Sequence, residues 1–123
     1  MEWITSSLFW QLIAFVMLIF GGVIHFYFDV LQPYLMATQK KELRTVSYLG
    51  LHSFFASGMV LTGLVNLYLT LFQPAMFSDA VYVALLMVWS VVWTSGAFLF
   101  MDMKMPKITM SVYMAILVLS VLF

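Results

Sequence analysis

The spacing of the charged residues constrains this chain more than any other feature. Ten charges in 123 residues leave four long charge-free intervals, at residues 3–28, 45–78, 80–101 and 108–123. A bilayer core of about 30 Å requires about 20 apolar helical residues, and the first three intervals reach that length. The fourth is shorter, but Pro106 suits the first turn of a helix and extends it. The pattern predicts four transmembrane helices, at about residues 7–31, 46–72, 80–101 and 106–123.

The composition excludes most other classes of protein. Apolar residues make up 65 % of the chain and charged residues 8 %, against roughly 45–50 % and 25 % in soluble domains. A disordered chain, a soluble globular domain and a nucleic-acid-binding protein are therefore excluded. We predict an all-α polytopic membrane protein, with residues 1–123 forming a single transmembrane domain. Its architecture is expected to be an up-down-up-down bundle of four transmembrane helices, with the lipid bilayer as its surroundings.

The basic residues predict an orientation in the membrane. All five fall in two connections: Lys40, Lys41 and Arg44 in the first, and Lys104 and Lys107 in the third. Cytoplasmic loops carry an excess of Lys and Arg, so loops 32–45 and 102–105 are expected in the cytoplasm. The N- and C-termini would then lie outside a plasma or inner membrane.

Small and polar residues form one face of helix 1 and one face of helix 2, which we call the seam. When the two helices are folded as an antiparallel hairpin, residues whose numbers sum to 77 lie opposite each other. The small and amide residues of the seam are Gln11, Ala14, Gly21, Ala56, Gly63 and Asn66. Small residues let helices approach closely in lipid, and interhelical hydrogen bonds add to the association. We expect Gln11 to bond to Asn66 and Gly21 to face Ala56. Helix 4, almost entirely aliphatic, is expected to face lipid or a partner.

The same register places the chain's two histidines opposite each other. Asp29 lies one turn after His25 on helix 1, and it is matched with Tyr48 on helix 2. Ionisable side chains within a span are costly and often functional. The candidate site, a polar cluster or proton relay, therefore consists of His25, Asp29, Tyr48 and His52.

Four interpretations of this cluster remain open from sequence. The histidines are neutral core residues; or they titrate near neutral pH and carry protons along a transport path. Alternatively, His25 and His52 are the axial ligands of a b-type haem. Direct contact between the two imidazole rings would exclude this interpretation, because the haem must lie between them. In the fourth interpretation His25, Asp29, His52 and Asp102 hold zinc, although no ligand-spacing motif supports it. We expect no metal and, haem apart, no cofactor.

Catalysis is not expected, because the chain has no cysteine and no catalytic motif. Its length and topology resemble the small multidrug-resistance transporters, which act as antiparallel dimers around a glutamate in the first helix. No span here contains glutamate, so that function is not carried over. Since four short helices enclose little volume, the expected function is a non-catalytic oligomerising or accessory subunit, associated with its own copies or with a larger membrane protein. The alternatives are a small proton- or cation-linked transporter or channel, and a b-type cytochrome.

Overall fold

The computed structural model describes residues 7–35 and 45–123, and every regular element in these ranges is helical. Four helices are long and apolar enough to cross a membrane: α1 Ser7–Leu35, α2 Val46–Phe72, α3 Ala80–Phe100 and α4 Lys104–Leu122. The all-helical prediction with four candidate spans is thereby confirmed. Three residues that determine the predicted orientation, Lys40, Lys41 and Arg44, lie outside the described ranges.

Helix α1 continues past its predicted end at residue 31, so the predicted loop 32–45 begins later than expected. It consists of an α-helix at Ser7–Phe26, a π-helical turn at Tyr27–Leu31 and a final α-helical turn at Gln32–Leu35. In the wide turn the Gln32 amide donates to the Tyr27 carbonyl, five residues earlier. Pro33 explains the widening, because its ring would clash with the Asp29 carbonyl in a regular α-helix. The π-turn thus places Asp29 in an irregular part of the helix, a common location for functional residues.

Side-chain caps fix where α2 and α3 begin. The Thr45 hydroxyl accepts from the Tyr48 amide at 3.1 Å. The Asp79 carboxylate accepts from the amides of Val81 and Tyr82, at 2.9 and 3.1 Å. These are the donors that a helix N-terminus leaves without intrahelical partners. Between α2 and α3 the chain forms a short 3-10 helix, Pro74–Ser78.

The core lies around α1, which packs along α2 on one side and α4 on another. Six of its fully buried members come from these three helices: Ala14, Phe15, Leu18, Met59, Met110 and Tyr113. The expectation that helix 4 faces only lipid or a partner is therefore wrong. Aliphatic composition could not reveal this, because lipid and a protein neighbour are equally apolar for such a face.

Two glycines allow α1 and α2 to approach closely. A Cβ atom on Gly63 would lie 2.6 Å from Cγ1 of Ile19 and 2.9 Å from the Phe15 carbonyl oxygen. On α1, a Cβ atom on Gly22 would lie 3.0 Å from the Ala56 carbonyl oxygen. Both approaches involve backbone atoms, so a larger residue would separate the helices.

The structure places the seam residues with two corrections to the expected pairs. Ala14, Ala56, Gly63, Gln11 and Asn66 are all buried. Gly22, rather than Gly21, faces Ala56; Gly21 faces Thr109 of α4. Adjacent residues are separated by about 100° around a helix. Gly21 therefore allows the approach of α4, and Gly22 allows the approach of α2.

Asn66 also has partners other than the expected Gln11. Its amide donates to the Thr62 carbonyl at 2.8 Å, and its side-chain oxygen accepts from the Tyr82 hydroxyl. The hairpin register considered only α1 and α2, whereas Tyr82 comes from α3. Asn66 therefore joins α2 to α3.

Helix α3 is held mainly through α4 and through one tryptophan. The Trp93 indole N–H donates to the Phe55 carbonyl at 3.1 Å, and its ring stacks on that of Phe55. Gly58 makes room for this indole, since a Cβ atom there would overlap it. Only 17 % of the most apolar stretch of α3 is buried within the chain, the lowest share among the four spans. Most of α3 therefore presents an apolar surface outward.

Candidate functional site

The structure brings the four residues of the predicted cluster to one end of the bundle. His25 lies in the last turn of the regular part of α1, Asp29 lies in the π-turn, and Tyr48 and His52 lie in the first two turns of α2. His25 and His52 are buried, and the side chain of Asp29 is 15 % exposed. The cluster is thus largely withdrawn from solvent, with the carboxylate nearest to the surface.

A series of close polar contacts runs through the cluster. Nδ1 of His25 contacts Oδ2 of Asp29. On the other side of the same ring, Nε2 of His25 lies 3.1 Å from Nδ1 of His52. Three ionisable side chains from two helices are therefore linked in a row, and both nitrogens of His25 are engaged.

With Asp29 ionised, its contact with His25 determines which ring nitrogens carry protons. A carboxylate can only accept, so His25 must present an Nδ1–H to Asp29. In the neutral ring its Nε2 is then an acceptor, and His52 must donate from Nδ1. Nε2 of His52 is consequently the nitrogen that can accept a further proton. In this state the cluster carries one negative charge, and a single added proton makes it neutral.

Tyr48 contacts His52 rather than Asp29, its expected counterpart. Its ring lies against the imidazole, with 4.1 Å between the ring centroids. The Tyr48 hydroxyl donates to the Met103 sulfur at 3.9 Å. This contact ties α2 to the connection before α4 and covers one face of His52. Sequence reasoning did not identify Met103, because neither register nor periodicity relates these two segments.

A cavity of about 320 Å³ lies beside the cluster, between α1 and the start of α4. We call it the histidine cavity. Its wall includes His25, Asp29, Met59, Lys104 and Thr109. Lys104 is the basic side chain in this wall, and its charge is opposite to that of an ionised Asp29. An ion or water molecule in the cavity would therefore reach the series of polar contacts through Asp29 and His25.

The cluster fits the two cofactor hypotheses poorly as it stands. The axial ligands of a haem lie on opposite faces of the porphyrin, whereas these imidazoles are in direct hydrogen-bonding contact. Donor atoms of His25, Asp29 and His52 lie within 4.8 Å of one another, a spacing that a metal ion could use. Asp102 is not part of this group within the described residues. A metal would have to replace either the contact of His25 with Asp29 or its hydrogen bond to His52.

A second buried polar pair lies deeper in the bundle. The hydroxyls of Ser90 on α3 and Tyr113 on α4 are 3.0 Å apart, and Ser90 also donates to the Leu86 carbonyl at 2.8 Å. Tyr113 is fully buried. Sequence reasoning did not single out Tyr113; the only available signal was its position one turn from both Met110 and Leu117 on the buried face of α4.

Comparisons with known proteins provide no further guidance, since no family model, curated protein or solved structure matches the chain.

Proposed function

We propose that this chain is a small proton-linked membrane transporter or channel in which His25, Asp29 and His52 bind and release the proton. The observation that supports this most directly is the buried series from Asp29 through His25 to His52. Hydrogen-bonded groups of this kind can pass a proton by exchanging donor and acceptor roles. A histidine titrates near neutral pH when it is unperturbed, which suits reversible loading.

The chemistry of the cluster suits the exchange of one proton. Its linked side chains offer a carboxylate oxygen and imidazole nitrogens, each of which can hold or release a proton. The charged or titratable neighbours are Tyr48 on α2, Asp102 before α4 and Lys104 at its start.

We further propose that the site faces the cytoplasm. The cluster lies at the end of the bundle that carries Lys104 and Lys107, which the positive-inside rule assigns to that side. The chain is cysteine-free, so Ser78→Cys and Thr38→Cys can be compared with an impermeant thiol reagent on intact cells. We expect labelling of Ser78→Cys alone; labelling of Thr38→Cys alone would reverse the orientation.

Proton flux into liposomes tests the function. Purified protein is reconstituted with a pH-sensitive dye inside, and a potassium diffusion potential drives protons inward. We expect flux above that of protein-free liposomes, and a large decrease in His52→Ala and in Asp29→Asn. Asp79→Asn is the matched control, because it removes a carboxylate at the opposite end and an asparagine still caps α3. Flux equal to that of empty liposomes, or flux unaffected by the site variants, would contradict the proposal.

A second candidate function is an oligomerising or accessory subunit. The observation that favours it is the outward apolar surface of α3, the least buried of the four spans. The native mass of the detergent-extracted complex tests it: a dimer or a stoichiometric complex supports this function, and a monomer does not. The absorption spectrum of the same sample tests the haem alternative, for which we expect no Soret band.

A further inference from the structure

A second cavity enters the bundle from the opposite end. It has a volume of about 300 Å³ and lies where α1 begins and α4 ends. Its polar residues are Ser7 and Gln11 of α1, Ser78 of the connection, and Ser120 of α4. We call it the serine cavity. The two cavities have separate sets of lining residues.

Only a short length of protein separates the two cavities. On α4, Leu117 lines the serine cavity and Thr109 lines the histidine cavity, which corresponds to about 12 Å along the helix. On α1, the corresponding residues are Gln11 and Gly21, about 15 Å apart. Both helices therefore indicate that the protein between the two cavities, which we call the septum, is at most about half as thick as a span of about 30 Å.

Buried apolar side chains fill the septum, and one pair of buried hydroxyls lies among them. The fully buried apolar side chains are Phe15, Leu18, Met59 and Met110. The polar pair is Ser90 and Tyr113, which lie one turn from Leu86 and Leu117 in the wall of the serine cavity. Tyr113 is also one turn from Thr109, in the wall of the histidine cavity. Along α4, Tyr113 therefore lies between the residues that line the two cavities.

The hydrogen bonds of this pair leave it able to relay a proton. Ser90 has a single hydroxyl proton, and the 2.8 Å bond to the Leu86 carbonyl uses it. The Ser90 oxygen must then accept from the Tyr113 hydroxyl. The Tyr113 oxygen keeps lone pairs that can receive a proton.

We propose that protons cross the bundle through these two cavities, with Tyr113 as the relay in the septum and Leu18, Met59 and Met110 as the barrier to water. This inference rests on the proposed function. A proton from water on the histidine-cavity side binds the Tyr113 oxygen, the Tyr113 hydroxyl proton passes to the Ser90 oxygen, and the Ser90 proton leaves to water in the serine cavity. Both hydroxyls end with one proton each, and His25 and His52 supply the proton through water that enters when the apolar side chains move.

Cysteine accessibility tests the two-cavity arrangement without any measurement of flux. Single variants Ser120→Cys, Thr109→Cys and Met110→Cys are treated with an impermeant thiol reagent in sealed vesicles of each orientation. We expect Ser120→Cys to react from one side, Thr109→Cys only from the other, and Met110→Cys from neither. Reaction of both cavity positions from one side, their protection from both sides, or reaction of Met110→Cys would overturn the arrangement.

Flux through Tyr113→Phe tests the relay. The substitution keeps the ring and removes only the hydroxyl, so we expect proton flux to fall at least about tenfold, as when a proton-transfer group is lost. Tyr68→Phe, at an exposed position on α2, is the control and should retain full flux. Normal flux in Tyr113→Phe would overturn the relay. If wild-type protein carries no flux, the proposed function itself fails, whereas the accessibility pattern still decides whether the cavities exist.

Discussion

Gly63→Ala should weaken the association of α1 with α2. The added methyl carbon would lie 2.6 Å from Cγ1 of Ile19, 2.9 Å from the Phe15 carbonyl oxygen and 3.1 Å from the Ile19 backbone nitrogen. Side-chain rotation of Ile19 can relieve only the first overlap, since the other two involve backbone atoms. The helices must therefore separate by several tenths of an ångström near Gly63.

The expected cost follows from two opposing effects. Overpacking a well-filled core destabilises by about 1–3 kcal/mol, whereas alanine in place of glycine within a helix contributes up to about 1 kcal/mol of stability. The overlap with backbone places Gly63→Ala toward the upper part of the first range. We expect a net loss of about 1–2 kcal/mol.

Gly96→Ala provides the matched control for this measurement. Gly96 is also within a helix, but no atom lies within 4 Å of a Cβ atom built there. We expect this variant to be as stable as the wild type or slightly more stable. Unfolding in mixed detergent, followed by circular dichroism, gives the free energy of both variants. If Gly63→Ala is no less stable than Gly96→Ala, the close approach of α1 and α2 is refuted.

Three further predictions concern the contacts that hold α3 and the site. Asp79→Ala removes the acceptor of two amide hydrogen bonds and should cost about 1 kcal/mol of unfolding free energy, while Asp79→Asn should cost little; equal losses would contradict the capping role. Trp93→Phe keeps an aromatic ring but loses the bond to the Phe55 carbonyl, so unfolding in detergent should show a loss of about 1 kcal/mol or more, and an unchanged midpoint would contradict it. Tyr48→Phe loses only the hydrogen bond from its hydroxyl to the Met103 sulfur. Because that bond is weak, the free energy of unfolding should change by less than about 0.5 kcal/mol. A large loss would contradict this and would indicate a further role for the hydroxyl.

The sequence predicted the number and approximate extent of the helices because charge is excluded from the bilayer core. It did not predict the end of α1. Asp29 and Pro33 both favour an earlier stop, but a π-turn accommodates the proline and the carboxylate is paired with His25. Such a local change in helix geometry depends on the tertiary environment, which periodicity does not report.

The site was predictable where it depends on two neighbouring helices and was missed where it depends on more distant segments. The hairpin register placed His25 opposite His52 because residues equally far from a connection lie at the same depth. The contacts of Tyr48 with Met103 and of Asn66 with Tyr82 involve other segments. For the same reason, the buried pair of Ser90 and Tyr113 was not foreseen.

The hydrogen bond between the two imidazoles tests the central claim most directly. The chain contains only two histidines, so selective ¹⁵N labelling of their rings yields an uncrowded NMR spectrum. With Asp29 ionised, we predict a proton on Nδ1 of both rings and a scalar coupling across the bond from Nδ1 of His52 to Nε2 of His25. Asp29→Asn should change the ring-nitrogen chemical shifts of His25, which Asp29 contacts, whereas Asp79→Asn should not. The absence of any coupling between the nitrogens of the two rings would contradict the account.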